Sequence, residues 1–86
     1  MKQLYFDMQT YSSPEEFHED LAKKMEFPEY YGKNLDALYE VLSEIQEETE
    51  VTLGNIGEEP PQGVKIFLRV FEDAKNENEK LKVIVE

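Results

Sequence analysis

The chain has no cysteine, a single histidine and only four glycines. Without cysteine there are no disulfides, no thiolate metal sites and no cysteine nucleophile, a composition that suits a reducing compartment. The glycines, at positions 32, 54, 57 and 63, are too scattered for a glycine-rich phosphate loop. No apolar run approaches the ~18 residues that a membrane span requires. Positive charge is also scarce: nine Lys and Arg face twenty Asp and Glu, for a formal net charge of −11. Such a surface repels nucleic acid and anionic membranes, attracts basic proteins and speeds encounter with them. Neither nucleic acid nor a membrane is therefore expected as a partner. Met1-Lys2-Gln3-Leu4 leads directly into strand-like alternation, unlike a signal peptide, so the expected location is the cytoplasm.

What is present suffices for one folded unit. Eighty-six residues fit a single domain, 1–86, and 40% apolar with 12% aromatic residues can build a core. Leu4, Phe6 and Met8 alternate with Tyr5 and Asp7, which predicts a first strand. Ser13 as N-cap, Pro14 at the first helical position and Glu16 completing a capping box predict a helix start. Phe17, Leu21 and Met25 then share one face, and the helix should stop before Pro28. Residues 28–32 read as a structured loop, in which Gly32 is expected to take a positive φ. A second helix is predicted from a cap at Asn34, with Leu35, Leu38, Leu42 and Ile45 as its apolar stripe. Val51 and Leu53 centre a second strand over 50–53, followed by a turn-rich connector, 54–63. A third helix is expected from near Pro61, with Val64, Phe67, Leu68, Phe71 and Ala74 inward, fraying over 76–78. Leu81, Val83 and Val85 make the last strand. The order β-α-α-β-α-β predicts an α/β fold: a small three-stranded parallel sheet with about three crossover helices, mainly on one side.

Little in this pattern suggests catalysis. His18 sits among Glu15, Glu16, Glu19 and Asp20, off the Phe17–Leu21–Met25 line, and reads as a solvated surface histidine. No zinc spacing or calcium loop is present, so no metal and no cofactor is expected. Paired carboxylates identify a hydrolase only when a substrate cleft separates them by a set distance. With no nucleophile, cofactor motif or cleft to name, the expectation is a protein that is not an enzyme.

The second helix is more informative. Asp36 and Glu40, at i and i+4, share an exposed face with Tyr39 beside them, and Glu44 and Glu47 extend it. Like charges at this spacing cost a helix roughly 0.2–0.5 kcal/mol per pair. Glu44, Glu47 and Glu48 near its C-terminus add an unfavourable helix-dipole contribution. A solvated acidic face and a surface shaped for a cationic partner both fit this pattern. Neighbouring tyrosines favour the second, since Tyr is enriched where proteins bind each other. At least one of Tyr30 and Tyr31 should also be partly buried.

The segment Pro28-Glu29-Tyr30-Tyr31-Gly32-Lys33-Asn34-Leu35-Asp36-Ala37-Leu38 resembles the signature loop and helix of the barstar family, intracellular inhibitors of the ribonuclease barnase. Val70-Phe71-Glu72-Asp73-Ala74-Lys75 is similar to the end of that family's last helix. The resemblance implies a basic ribonuclease or related toxin nuclease as partner, bound 1:1 by a monomer whose carboxylates replace RNA phosphates. It implies that Tyr30, Tyr31, Gly32 and Asn34 form the contact loop and that Asp36 and Glu40 are the main acidic contacts. Tyr39 would lie between these two, with Asp73 and Glu77 adding carboxylates. It also admits an immunity or interaction module on the same scaffold whose partner is no ribonuclease. Three features depart from the family pattern: Glu40 stands where aspartate is usual, Tyr39 where tryptophan is frequent, and the 54–63 connector is short for the family's small extra helix.

Overall fold

The computed structural model describes residues 1–86. Its elements are β1 (Lys2–Asp7), α1 (Pro14–Lys24), α2 (Leu35–Ser43), β2 (Thr49–Gly54), α3 (Gln62–Glu77) and β3 (Leu81–Val85), in the predicted order. The three strands lie side by side as β1-β2-β3, both pairings parallel. Successive right-handed crossovers in one direction put the helices on a single face of the sheet. Side-chain alternation agrees. Phe6, Val51, Leu53 and Leu81 are fully or almost fully buried, whereas Tyr5 and Ile84 remain exposed on the open face. Tyr5, Thr52 and Ile84 pair in one cross-strand row there. The Tyr5 ring lies directly over Gly54, where a Cβ would find no room.

Phe17 of α1 is the centre of the core. Its ring meets Phe67 edge-on at 4.7 Å and Phe6 at 5.8 Å, with Tyr11 tilted against it at 5.0 Å. One residue of α1 thereby joins β1, the turn after it and α3. Such aromatic pairs add about 0.5–1.5 kcal/mol each beyond the area they bury.

The helix ends follow local chemistry, with differences from expectation. The Ser13 hydroxyl accepts from the Glu16 amide at 3.3 Å, as a cap should. The Glu16 carboxylate does not reach back to Ser13. It bonds the amide and hydroxyl of Ser12 at 3.1 and 2.6 Å, so the reciprocal half of the box falls one residue earlier. Glu26 adopts a left-handed φ of 57° after the end of α1, and the Phe27 amide returns to the Ala22 carbonyl at 2.9 Å. This is a Schellman-type stop made without glycine. The second helix ends at Ser43, so Ile45 packs from outside it and Glu47 and Glu48 lie beyond the reach of its dipole.

Candidate functional site

The loop between α1 and α2 is built on an inward anchor. Tyr31 is 8% exposed, its amide donates to Pro28 O at 3.0 Å, and its ring packs on Phe27 at 4.9 Å. Its hydroxyl lies 2.6 Å from Nδ1 of His18. His18 is only 4% exposed, so the expectation of a solvated histidine is overturned. The reason is geometric: position 18 precedes Leu21 by three residues and Met25 by seven, inside an apolar stripe that is about 100° wide rather than one residue wide. Burial, and then the positive charge of Lys33, hold the imidazole below its ordinary pKa, and burial pushes the Tyr31 phenol up to about 12. A neutral pair results.

The loop's backbone also differs from expectation. The positive φ falls on Lys33, at 54°, and not on Gly32. A Cβ at Gly32 would sit 3.1 Å from Nδ2 of Asn34, a tight contact that the capping side chain would have to relax. The Asn34 side chain caps α2: its Oδ1 accepts from the Ala37 amide at 2.7 Å, and its Nδ2 points back to Gly32 O at 3.4 Å. Sequence reasoning missed the device at the other end of α2. Asn78, buried at the end of α3, donates from Nδ2 to Leu42 O and Ile45 O, each at 3.0 Å. Its Oδ1 accepts from the Lys80 amide at 2.9 Å. One side chain thereby ties the end of α2 to the approach to β3.

Asp36, Tyr39 and Glu40 project from this fixed helix into solvent, and Tyr30 in the loop is 86% exposed. Asp36 and Glu40 share a face roughly 6 Å apart along the axis. Asp36 shares a groove with Ile66 and Phe67 at the start of α3, while Glu44 shares another with Glu77 at its end. Helices α2 and α3 therefore run side by side in the same direction. Asp73 and Glu77, both exposed, belong to the C-terminal half of α3 and stand away from Asp36. The chain's ion pairs are Lys2–Glu26, Lys24–Asp20 and Lys75–Glu72, so Asp36, Glu40, Asp73 and Glu77 have no cationic partner within the chain. Of the aromatic residues expected at the surface, Tyr30 and Tyr39 are there, and Tyr31 is an internal support.

A family model described as Barstar (barnase inhibitor) matches residues 1–86. The chain belongs to the barstar family. Among curated relatives, a protein of Bacillus subtilis (strain 168) named "Putative ribonuclease inhibitor YrdF" is 42% identical over 43 residues. The match covers 50% of this chain and 47% of that relative, so the aligned stretch spans about half of each. The observed arrangement, a three-stranded parallel sheet with α1, α2 and α3, is the barstar-like architecture. No helix is long and apolar enough to cross a membrane.

Proposed function

We propose that this barstar-family protein inhibits a basic ribonuclease by filling its active site with carboxylates that stand in for RNA phosphates. Asp36 and Glu40 are the central contacts, Tyr39 packs between them, and Tyr30 and Asn34 shape the approach. Gly32 keeps the loop slim, and Tyr31 holds it from below. Asp73 and Glu77 extend the acidic surface along α3. The protein needs no turnover for this role and acts as a 1:1 blocking partner, not an enzyme.

The observation that carries the reading is the unpaired state of these carboxylates on a helix fixed at both ends. A carboxylate without an internal cation is free to make charge-assisted, often bidentate, bonds with a partner's arginines. A helix already pinned by Asn34 and Asn78 loses little freedom on docking, which lowers the cost of association. The net charge of −11 adds long-range attraction toward a basic enzyme.

The test is an RNA-cleavage assay with barnase, and with any small basic nuclease encoded beside this chain, titrated with the protein over a range of salt. Stoichiometric inhibition that weakens as salt rises is expected. Capture of a non-nuclease partner from the same cell, with no effect on RNA cleavage, would favour an interaction module on this scaffold instead.

A further inference from the structure

The two edges of the sheet differ. Along β3 the even positions face β2: Lys80 O accepts from the Thr49 amide at 2.8 Å, the Glu86 amide donates to Leu53 O at 3.0 Å, and Glu86 O accepts from the Ile56 amide at 3.0 Å. The N–H and C=O groups of Val83 and Val85, one position out of step, therefore point away from the sheet, and no loop, turn or side chain of the protein meets them. The side chains around them are apolar: Ile84 is 39% and Val85 52% exposed, and Val83 is partly buried. No proline and no bulge interrupts the strand. The opposite edge is guarded by charged side chains, with Lys2 paired to Glu26 at 3.4 Å and Lys24 lying over the Phe6 ring at 5.2 Å. An apolar edge with free backbone groups is a template for another strand.

The residues of β3 select that strand. An antiparallel copy of β3, related by a twofold axis through Ile84, sets Val83 opposite Val85, Ile84 opposite Ile84 and Lys82 opposite Glu86. In this register the outward-facing residues form the hydrogen-bonded pairs, with Val83 and Val85 exchanging N–H···O bonds on either side of the axis. On the open face the two Ile84 side chains meet, flanked on each side by a Lys82–Glu86 pair, and opposite charges placed directly across two strands stabilise them. Lys82 and Glu86 are exposed, and neither takes part in an ion pair within its own chain. Moving the axis to Val85 would set Ile84 against Glu86. Moving it to Val83 would set Lys82 against Ile84 and would need the Leu81 amide, which already donates to Asn78 O at 3.1 Å. One register thus matches hydrogen bonds, apolar contacts and charge together.

We propose that β3 is a self-association edge, at which two copies of this chain pair β3 to β3 in antiparallel fashion and join their sheets into one. The contact is isologous, so it closes at two copies. It does not rest on the ribonuclease reading. Tyr30, Asp36, Tyr39 and Glu40 belong to α2 and the loop before it, outside this edge, so each copy keeps its own acidic surface for one nuclease. A single strand pairing is a small interface, and the net charge of −11 on each copy opposes it, so the association is reversible and depends on concentration. At physiological salt that repulsion is screened beyond about 8 Å, whereas the Lys82–Glu86 pairs act at contact.

The experiment is analytical ultracentrifugation of the full chain at about 0.15 M salt, from about 10 μM to about 1 mM protein. A monomer that gives way to a dimer as concentration rises is expected, with slower exchange of the Val83 and Val85 amides in the concentrated sample. Ile84→Lys, at an exposed position, sets like charges across the axis and should weaken the dimer severalfold while leaving the circular dichroism spectrum unchanged. Lys82→Glu and Glu86→Lys each place like charges in both flanking pairs, so each alone should also associate severalfold more weakly. An equimolar mixture of these two variants should recover the wild-type association, because every flank then sets Glu against Lys. A chain that stays monomeric throughout, or a mixture that associates no better than its separate components, would overturn the proposal. So would protection of the Val83 and Val85 amides that appears only when a different protein is added, since the edge would then belong to a foreign strand.

Discussion

The hydroxyl of Tyr31 lies 2.6 Å from Nδ1 of His18, and this buried contact joins α1 to the loop that leads into α2. It supports the candidate site from beneath without taking part in its surface. Tyr31→Phe keeps the ring on Phe27 and removes only the hydroxyl. Because the imidazole nitrogen is then left without a partner, the variant should lose about 1–3 kcal/mol of stability. Urea unfolding measures this, and faster amide exchange over residues 28–34 should accompany it.

The same pair sets a pH dependence. The folded state holds His18 below its ordinary value of 6.5, through burial first and Lys33 second, so between those two values the unfolded chain binds more protons than the folded one. Stability is therefore full above about pH 6.5 and falls as pH drops through the folded value. Asp7 and Glu16 are also held below their ordinary values of 3.8 and 4.5 by hydrogen bonds, and their contribution is lost only in more acidic solution. Unfolding measured from about pH 7.5 down to about pH 5 should show a positive slope that His18→Gln flattens.

Asn78→Ala tests the tie between α2 and β3. The variant strips Leu42 O and Ile45 O of a shared donor and the Lys80 amide of its acceptor, in a partly or fully buried setting. A loss of roughly 2 kcal/mol is expected in denaturant unfolding. Ribonuclease binding should weaken beyond what the stability loss explains, because the end of α2 is released.

The fold was legible because strand alternation and helix stripes carry long-range information in a local pattern. Phe6, Leu21, Leu42, Val51 and Phe71 all lie inside, where their spacing puts them. The acidic face of α2 was legible for the same reason, since helical periodicity alone brings positions 36 and 40 together. What could not be read depends on contacts distant in sequence. The place of His18 within the α1 stripe was legible, but the partners that enclose it, Tyr31 and Phe67, stand thirteen and forty-nine positions away. Asn78 reaches carbonyls thirty-three and thirty-six positions away. Left-handed φ falls on the exposed residues Glu26, Lys33 and Asn55 as well as on Gly57, and not on Gly32, so three of the four positions carry no glycine to announce them.

The most direct measurement is the affinity of purified barnase, or of the cognate basic ribonuclease, for the wild-type protein and for Asp36→Ala and Glu40→Ala, with the fold of each checked by circular dichroism. Each exposed alanine variant should unfold like wild type and bind at least about 30-fold more weakly, equivalent to a loss of about 2 kcal/mol, with a shallower salt dependence. Folded Asp36→Ala and Glu40→Ala proteins that bind the nuclease as tightly as wild type would contradict the account.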